Sequence, residues 1–272
     1  MDFNGKILEK KFGQNFITDG NLLKAIVTDA EVCKNDYVLE IGTGAGTLTK
    51  VLSENAHKVV SYEIDRTLQP LIEQNLKSSD NIKIVFEDFL KSEEQDIIDT
   101  IGKDYKVIAN LPYYITSPII FKLLDFNNAP KSITIMVQYE VGERITAKPS
   151  TKEYGAITVG INSKYGTKIT RRVKKELFVP RPKVDSCIVH FTPNSYKIKN
   201  QKFFRRVVKS AFHMRRKQLI NNLSTDFDIT KEELKNILQS QNIDINIRGE
   251  MISIQQFITL SDALYDYINK KI

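Results

Sequence analysis

Short runs rich in β-branched and other apolar residues recur along the first half of the chain, at residues 37–41, 58–62, 82–86, 106–109 and 133–137. Runs this brief and this apolar suit strands buried on both faces. Stretches with helical spacing at 22–32, 47–54, 67–77, 93–101 and 117–125 precede or separate them. Strands that alternate with helices have few ways to close, because each crossover must be short and right-handed. The expected solution is an α/β fold: a Rossmann-like, doubly wound, mostly parallel sheet. After a helix pair at 140–147 and 154–163, two more runs at 166–173 and 187–191 are expected to add an antiparallel edge.

Beyond residues 192–195 (Thr-Pro-Asn-Ser) the pattern becomes helical and stays so. Two capping boxes mark helix starts there, Thr230 with Glu233 and Ser253 with Gln256. The expected division is a catalytic α/β domain over 1–195 and a small all-helical domain over 196–272. Two cysteines, Cys33 and Cys187, make no disulfide framework and no metal-ligand spacing, and with only three histidines no metal site is expected. The first 20 residues lack the apolar core of a secretory signal, and no apolar run nears the ~18 residues of a membrane span. A cytoplasmic, membrane-free monomer is expected.

The first strand runs into Gly42-Thr43-Gly44-Ala45-Gly46, where glycines let backbone approach a ligand closely. Thr47 stands where a dinucleotide fingerprint has its third glycine, and Glu40 would repel a pyrophosphate, so a cofactor with a cationic or zwitterionic end is favoured. Glu63 ends the second strand, 21 residues beyond Gly42, where a carboxylate accepts from ribose hydroxyls; Asp65 is close enough to compete. Asp88-Phe89 ends the third, pairing an acceptor for an exocyclic amine with an aromatic face for a purine. The set reads as an adenosyl site without a pyrophosphate: S-adenosylmethionine fits, and NAD fits poorly.

Asn110-Leu111-Pro112-Tyr113 ends the fourth strand. The exocyclic amine of a base is a poor nucleophile because its lone pair is delocalised into the ring. Acceptors placed around its N–H groups favour a pyramidal nitrogen, and the Asn110 amide oxygen with carbonyls of a turn fixed by Pro112 can supply them. Tyr113 offers a face for an extruded base. Attack of the amine on a methyl group needs alignment more than a strong general base.

Asn110-Leu111-Pro112-Tyr113 resembles motif IV of the amino-methyltransferases, and NLPYYITSPIIFKLL is similar to the KsgA/RsmA family of small-subunit ribosomal RNA adenine dimethyltransferases. KKFGQNFITD, LEIGTGAGTLT, MVQYEVGERITAKPSTKEYGAITV and LFVPRPKVDSCIVHF follow that family in the same order, covering residues 10–191, and AFHMRRKQLINNL lies in the helical part. The resemblance implies a class I methyltransferase sheet and S-adenosylmethionine as cofactor. Asn15, Ile17, Gly42, Gly44, Glu63, Asp88 and Asn110 are then cofactor contacts. The implied reaction is dimethylation of N6 on two adjacent adenines in the 3′-terminal hairpin loop of 16S rRNA, within an immature small subunit. Phe178 matches an aromatic that sandwiches the target adenine against Tyr113; from the residues alone it serves equally as core. Thr43 stands where the family often has proline, and Tyr139 where a basic residue is common.

The formal charge of +7 is unevenly spread: residues 164–217 hold 17 Lys and Arg but only Glu176 and Asp185 as acids. Solvation is the ordinary reading of one basic helix face. Here a basic strand, a turn and a helix follow one another beside an adenine-modifying centre, which favours phosphate contacts to RNA. The candidates are Arg171, Arg172, Lys174, Lys175, Arg181 and Lys183, then Lys202, Arg205, Arg206, Lys209, Arg215, Arg216 and Lys217. Two rivals remain: a large-subunit rRNA methyltransferase of the antibiotic-resistance type, and an RNA-binding assembly factor that retains the fold without catalysis. Tyr114, the SPI after it and EYGAITV favour the small-subunit reading; the intact acids and Asn110 centre favour catalysis.

Overall fold

The computed structural model of the chain describes residues 2–3, 6–7, 16–17 and 19–271. Three two-residue strands, β1 (Asp2–Phe3), β2 (Lys6–Ile7) and β3 (Phe16–Ile17), precede α1 (Gly20–Asp29), whose Asp19 cap accepts from the Leu22 N–H at 2.7 Å. The α/β alternation follows: β4 (Tyr37–Ile41), α2 (Thr47–Ser53), β5 (Lys58–Tyr62), α3 (Gln69–Leu76), β6 (Ile82–Val85), α4 (Glu94–Ile101), β7 (Tyr105–Asn110), α5 (Thr116–Asp125) and β8 (Ser132–Gln138). Then come α6 (Tyr139–Ile145), α7 (Ala156–Asn162), β9 (Tyr165–Val173), β10 (Phe178–Val179) and β11 (Ser186–Pro193). The C-terminal helices are α8 (Gln201–Ala211), α9 (Leu219–Asp226), α10 (Lys231–Ser240) and α11 (Ile254–Lys271).

Seven strands form one sheet in the order β6-β5-β4-β7-β8-β11-β9. β4 pairs in parallel with both β5 and β7, β5 with β6, and β7 with β8, while β11 runs antiparallel to β8. The sheet is therefore the expected Rossmann-like one with an antiparallel edge. Its central strands are largely apolar because helices cover both faces: Val38, Leu39, Val59, Val107, Ile108 and Ile135 are essentially sealed from solvent. Strand order reverses between β4 and β7, so the loops at their C-terminal ends diverge and leave a crevice. A separate ribbon, Phe178 opposite Ile17 and Val179 opposite Phe16, joins β10 to β3; the sequence periodicity does not reveal it.

The chain divides into two compact units, 1–142 with 167–193 and 143–166 with 194–272. The segment carrying α7 thus belongs with the C-terminal helices, whereas the linear division at 195/196 assigns it to the sheet. The reason is packing: Tyr154 and Val159 join one core with Phe204, Val207, Leu223, Leu234, Phe257 and Leu264. The Tyr154 hydroxyl donates to the Ile252 carbonyl at 2.7 Å. Both capping boxes form, with Thr230 and Glu233, and Ser253 and Gln256, exchanging side-chain and backbone bonds of 2.8–3.3 Å. Among the described residues no helix is long and apolar enough to cross a membrane, and no group of His, Cys, Asp and Glu is arranged to hold a metal.

Candidate active site

Parallel register brings four strand tips to one edge. Ile41 lies opposite Tyr62 on one side and Ala109 on the other, and Tyr62 lies opposite Val85. The residues that follow, Gly42, Glu63, Asp88 and Asn110, therefore converge, and all four line one pocket with Ile17 and Gly44. Phe16, Thr47, Ile64, Phe89, Tyr114 and Ile115 complete much of its wall. Asn15 lies outside the described residues.

The glycine loop is held from below and from the side. Gly42, Gly44 and Gly46 have φ of 89°, 57° and 78°, a region costly for a side chain, and Gly46 starts α2. A Cβ on Gly42 would sit 3.3 Å from the Asn110 carbonyl oxygen, and one on Gly44 would sit 3.2 Å from the Phe16 ring. The loop can thus lie against the β7 tip only as glycine. Glu63 is 3 % exposed; its Oε2 accepts from the Gly44 N–H at 2.7 Å and its Oε1 from the Asp65 N–H at 2.9 Å. Burial pushes its carboxyl above the ordinary range, an effect those backbone donors oppose. Asp65 itself accepts from the Thr67 N–H and hydroxyl and does not line the pocket, which resolves the choice between the two acids in favour of Glu63 as a wall residue. Asp88 caps the following turn through the Leu90 N–H at 3.0 Å. Phe89, packed edge-on to Tyr62 at 5.4 Å, gives that end of the pocket an aromatic wall.

Glu40 departs from the expectation that it faces the ligand. It is completely buried beneath the loop, with the Thr49 and Ser61 hydroxyls both donating to Oε2 at 2.6 Å, while Oε1 is buried without a hydrogen-bond partner. Thr43 extends the network through a 2.6 Å bond between its hydroxyl and that of Ser61. Glu40 therefore ties the loop to β5 and α2. Burial, with a smaller contribution from the nearby Glu63 charge, raises its pKa to about 7. An acid whose folded pKa is raised leaves the protein most stable where it is protonated in both states. Stability attributable to Glu40 is thus greatest below about pH 4.5 and falls as pH rises through the window to about 7. The span corresponds to about 3 kcal/mol. Denaturant unfolding of wild type and Glu40→Gln at several pH values should show this difference growing across that window; parallel curves would contradict it.

At the reacting end, Asn110 is half-buried, and its side-chain amide is bonded to no other described residue. The Ile115 N–H donates to the Pro112 carbonyl at 3.1 Å, fixing the turn before α5. Leu111 is buried on the pocket wall beside Pro112. Tyr113 is half-buried and off that wall, its hydroxyl 2.7 Å from that of Ser186. Phe178, 3 % exposed, packs in the core with Ile17, Val173 and Ile188. Its backbone pairs with Ile17 of β3, and stacking on the target adenine would need its ring more exposed than it is here.

Several of the basic candidates carry structural duties. Arg171 pairs with Asp29 at 3.1 Å, Arg181 pairs with Glu176, and Arg172 pairs with Asp185 at 3.0 Å while stacking on the Tyr139 ring at 4.4 Å. Arg206 donates to the Asp226 carbonyl at 2.7 Å and lies over Phe227. Arg215 reaches the Lys152 and Tyr154 carbonyls and Glu250. Lys174, Lys183, Lys202, Lys209, Arg216 and Lys217 are exposed and carry no ion pair among the described residues. Lys175 is half-buried, its backbone N–H donating to Asp185. Arg205 is exposed on α8, opposite the face that buries Phe204, Val207, Val208 and Ala211.

Pocket walls such as Phe16 and Ile64 carry no signal in the sequence that separates them from core residues. Tyr114 is different, an aromatic directly after the motif.

A sequence profile of the ribosomal RNA adenine dimethylase family matches residues 5–266. A ribosomal RNA small subunit methyltransferase A from Clostridium botulinum is 44 % identical over 262 residues, covering 95 % of this chain and 94 % of that one. A dimethyladenosine transferase from Plasmodium falciparum shares the fold, with a TM-score of 0.80 at 23 % identity over 94 % of this chain and 98 % of that one. The 23S rRNA methyltransferase ErmE does so too, with a TM-score of 0.74 at 24 % identity over 92 % of this chain and 100 % of that one.

Proposed function

Starting from the fact that the chain belongs to the ribosomal RNA adenine dimethylase family, we propose that it transfers methyl groups to N6 of adenine in small-subunit ribosomal RNA through the strand-tip pocket. The observation that carries this reading is the convergence of Gly42, Glu63, Asp88 and Asn110 on that one pocket. The family's cofactor is S-adenosylmethionine, and the donor set fits it. The Glu63 carboxylate spends one lone pair of each oxygen on a backbone N–H and retains others for ribose hydroxyls. Asp88 and Phe89 suit an adenine amine and ring, and among the described residues that line the pocket there is no cationic side chain for a pyrophosphate. When bound, the cofactor supplies an electrophilic methyl on a sulfonium.

The chain's own groups do the rest. The Asn110 amide oxygen accepts from the adenine amine and favours a pyramidal nitrogen whose lone pair is no longer delocalised into the ring; the Leu111 carbonyl is the candidate second acceptor, the Pro112 carbonyl being taken by the Ile115 N–H. Tyr113, its hydroxyl held by Ser186, would stack on the base from beside the pocket and not from its wall. No general base is needed before attack, since the proton leaves a cationic product amine. The finer target is a pair of adjacent adenines in the 3′-terminal hairpin loop, modified in an immature small subunit by a monomer in the cytoplasm.

We assign RNA contacts to the basic residues of 164–217, and among them to those with no ion pair among the described residues. Replacing Lys202, Lys209 and Arg216 with Ala should lower the slope of log affinity against log salt by about 2–3. A slope equal to that of wild type would remove them from the interface. Labelled cofactor offered with isolated small subunits or with large-subunit RNA tests the reading itself. Transfer to the small subunit supports it; transfer only to large-subunit RNA favours the rival.

A further inference from the structure

Tyr114 is 66 % exposed and yet forms part of the pocket wall. Neither its hydroxyl nor its ring contacts another described residue through a hydrogen bond or aromatic pair, so it serves no visible purpose in the fold. The turn that presents it is stiff: Pro112 fixes one φ, Ile115 closes the turn onto the Pro112 carbonyl, and α5 begins at Thr116. A rigid, solvent-facing aromatic at a pocket mouth is pre-organised to stack, because little conformational freedom is lost when a ligand settles on it.

Two candidate ligands reach that mouth, the cofactor's own adenine and an incoming RNA base. Position across the sheet separates them. The groups suited to the cofactor adenine, Asp88 and Phe89, follow β6, whereas Tyr114 follows β7, three strands away in the order β6-β5-β4-β7. Three inter-strand spacings amount to roughly 14 Å. Tyr114 instead lies four residues beyond Asn110, at the β7 end of the pocket where the proposed reacting centre sits. Tyr113 cannot serve the same spot, since its hydroxyl is drawn to Ser186 and its ring is off the wall.

We propose that Tyr114 is a further substrate-binding residue that receives an unpaired RNA base by stacking at the mouth of the site, a contact separate from that of Tyr113. The proposal rests on the RNA-methylating reading above. Base–aromatic stacking is sequence-tolerant and strong enough that its loss is measurable.

The test uses the full chain with Tyr114→Ala, Tyr114→Phe and Tyr114→Leu. Cofactor affinity is read by calorimetry, and RNA affinity by titration of a single-stranded adenine-containing RNA carrying 2-aminopurine. The Ala variant should bind RNA about five- to a hundredfold more weakly. Its KM for RNA should rise with kcat less affected, and its cofactor Kd should match wild type. Phe should behave as wild type, because the hydroxyl has no partner to lose, and Leu should retain only part of the affinity. Weakened cofactor binding with normal RNA binding would overturn the proposal by making Tyr114 a cofactor wall. So would full affinity in the Leu variant, which would reduce the ring to apolar cover, or unchanged RNA binding in the Ala variant. The wild-type chain failing to methylate any ribosomal RNA would instead strike the functional reading, while the RNA-binding arm still reports on Tyr114.

Discussion

Asn110→Ala should lower the rate of methyl transfer by about 10²- to 10³-fold, the usual cost of deleting one pre-organised polar group at a reacting centre. RNA affinity and folding should stay near wild type. The expectation follows from what Asn110 touches. Its amide is bonded to no other described residue, so truncation opens no buried polar group in the protein. Its backbone remains in β7, opposite Met136 of β8, and keeps its carbonyl against Gly42. The basic residues that would hold RNA lie elsewhere in the chain. Single-turnover kinetics with saturating RNA isolates the step: a fall in the rate constant with unchanged RNA binding is the signature. Wild-type rates in this variant would remove Asn110 from the centre and leave the motif a structural turn.

Glu63→Ala should weaken cofactor binding at least a hundredfold while leaving RNA binding intact. Two effects add. The carboxylate's own bonds to ribose hydroxyls go, each charge-assisted bond being worth about 1.5–3 kcal/mol. The Gly44 and Asp65 N–H groups, bonded to Glu63 at 2.7 and 2.9 Å, also lose their acceptor, so the glycine loop loses the clasp that sets its distance from β5. Glu63→Gln keeps one acceptor oxygen and should fall between Ala and wild type. Calorimetric titration of S-adenosylmethionine reads both. Equal affinity in the Ala variant and wild type would show that the ribose is held elsewhere.

The sheet was legible because its strands carry an unambiguous pattern. Residues 37–41 and 58–62 are short, mostly apolar runs ended by Gly42 and Glu63, and the observed strands end at those points. The site was legible for a related reason. In a parallel sheet, whatever follows each strand arrives at the same edge, so chain order alone predicts that the glycine loop, two acids and Asn110 meet. What could not be read is which way a side chain turns at a strand end. Glu40 is two residues from Gly42 yet points under the loop, because its partners Ser61 and Thr49 come from β5 and α2. Phe178 was open between base and core, and its burial depends on β10 meeting β3 across some 160 residues of chain. The basic segment was visible as a count of charges. Its division into paired and available residues depends on acids such as Asp29, far outside the segment.

The Thr43 departure also has a physical account. The hydroxyl joins the buried chain Thr43–Ser61–Glu40–Thr49, so the loop is stiffened by hydrogen bonds where the family often uses a proline ring. Tyr139, standing where a basic residue is common, has the Arg172 guanidinium stacked on its ring. Positive charge is therefore present beside that position although residue 139 does not itself supply it.

The most direct measurement is mass mapping of the ribosomal RNA after small subunits lacking the modification are incubated with the wild-type chain and isotopically labelled S-adenosylmethionine. The account predicts two adjacent adenines near the 3′ end of the small-subunit RNA, each carrying two labelled methyl groups on N6, and none with Asn110→Ala. Label confined to large-subunit RNA, label on a different atom, or equal labelling by the Asn110→Ala variant would contradict it.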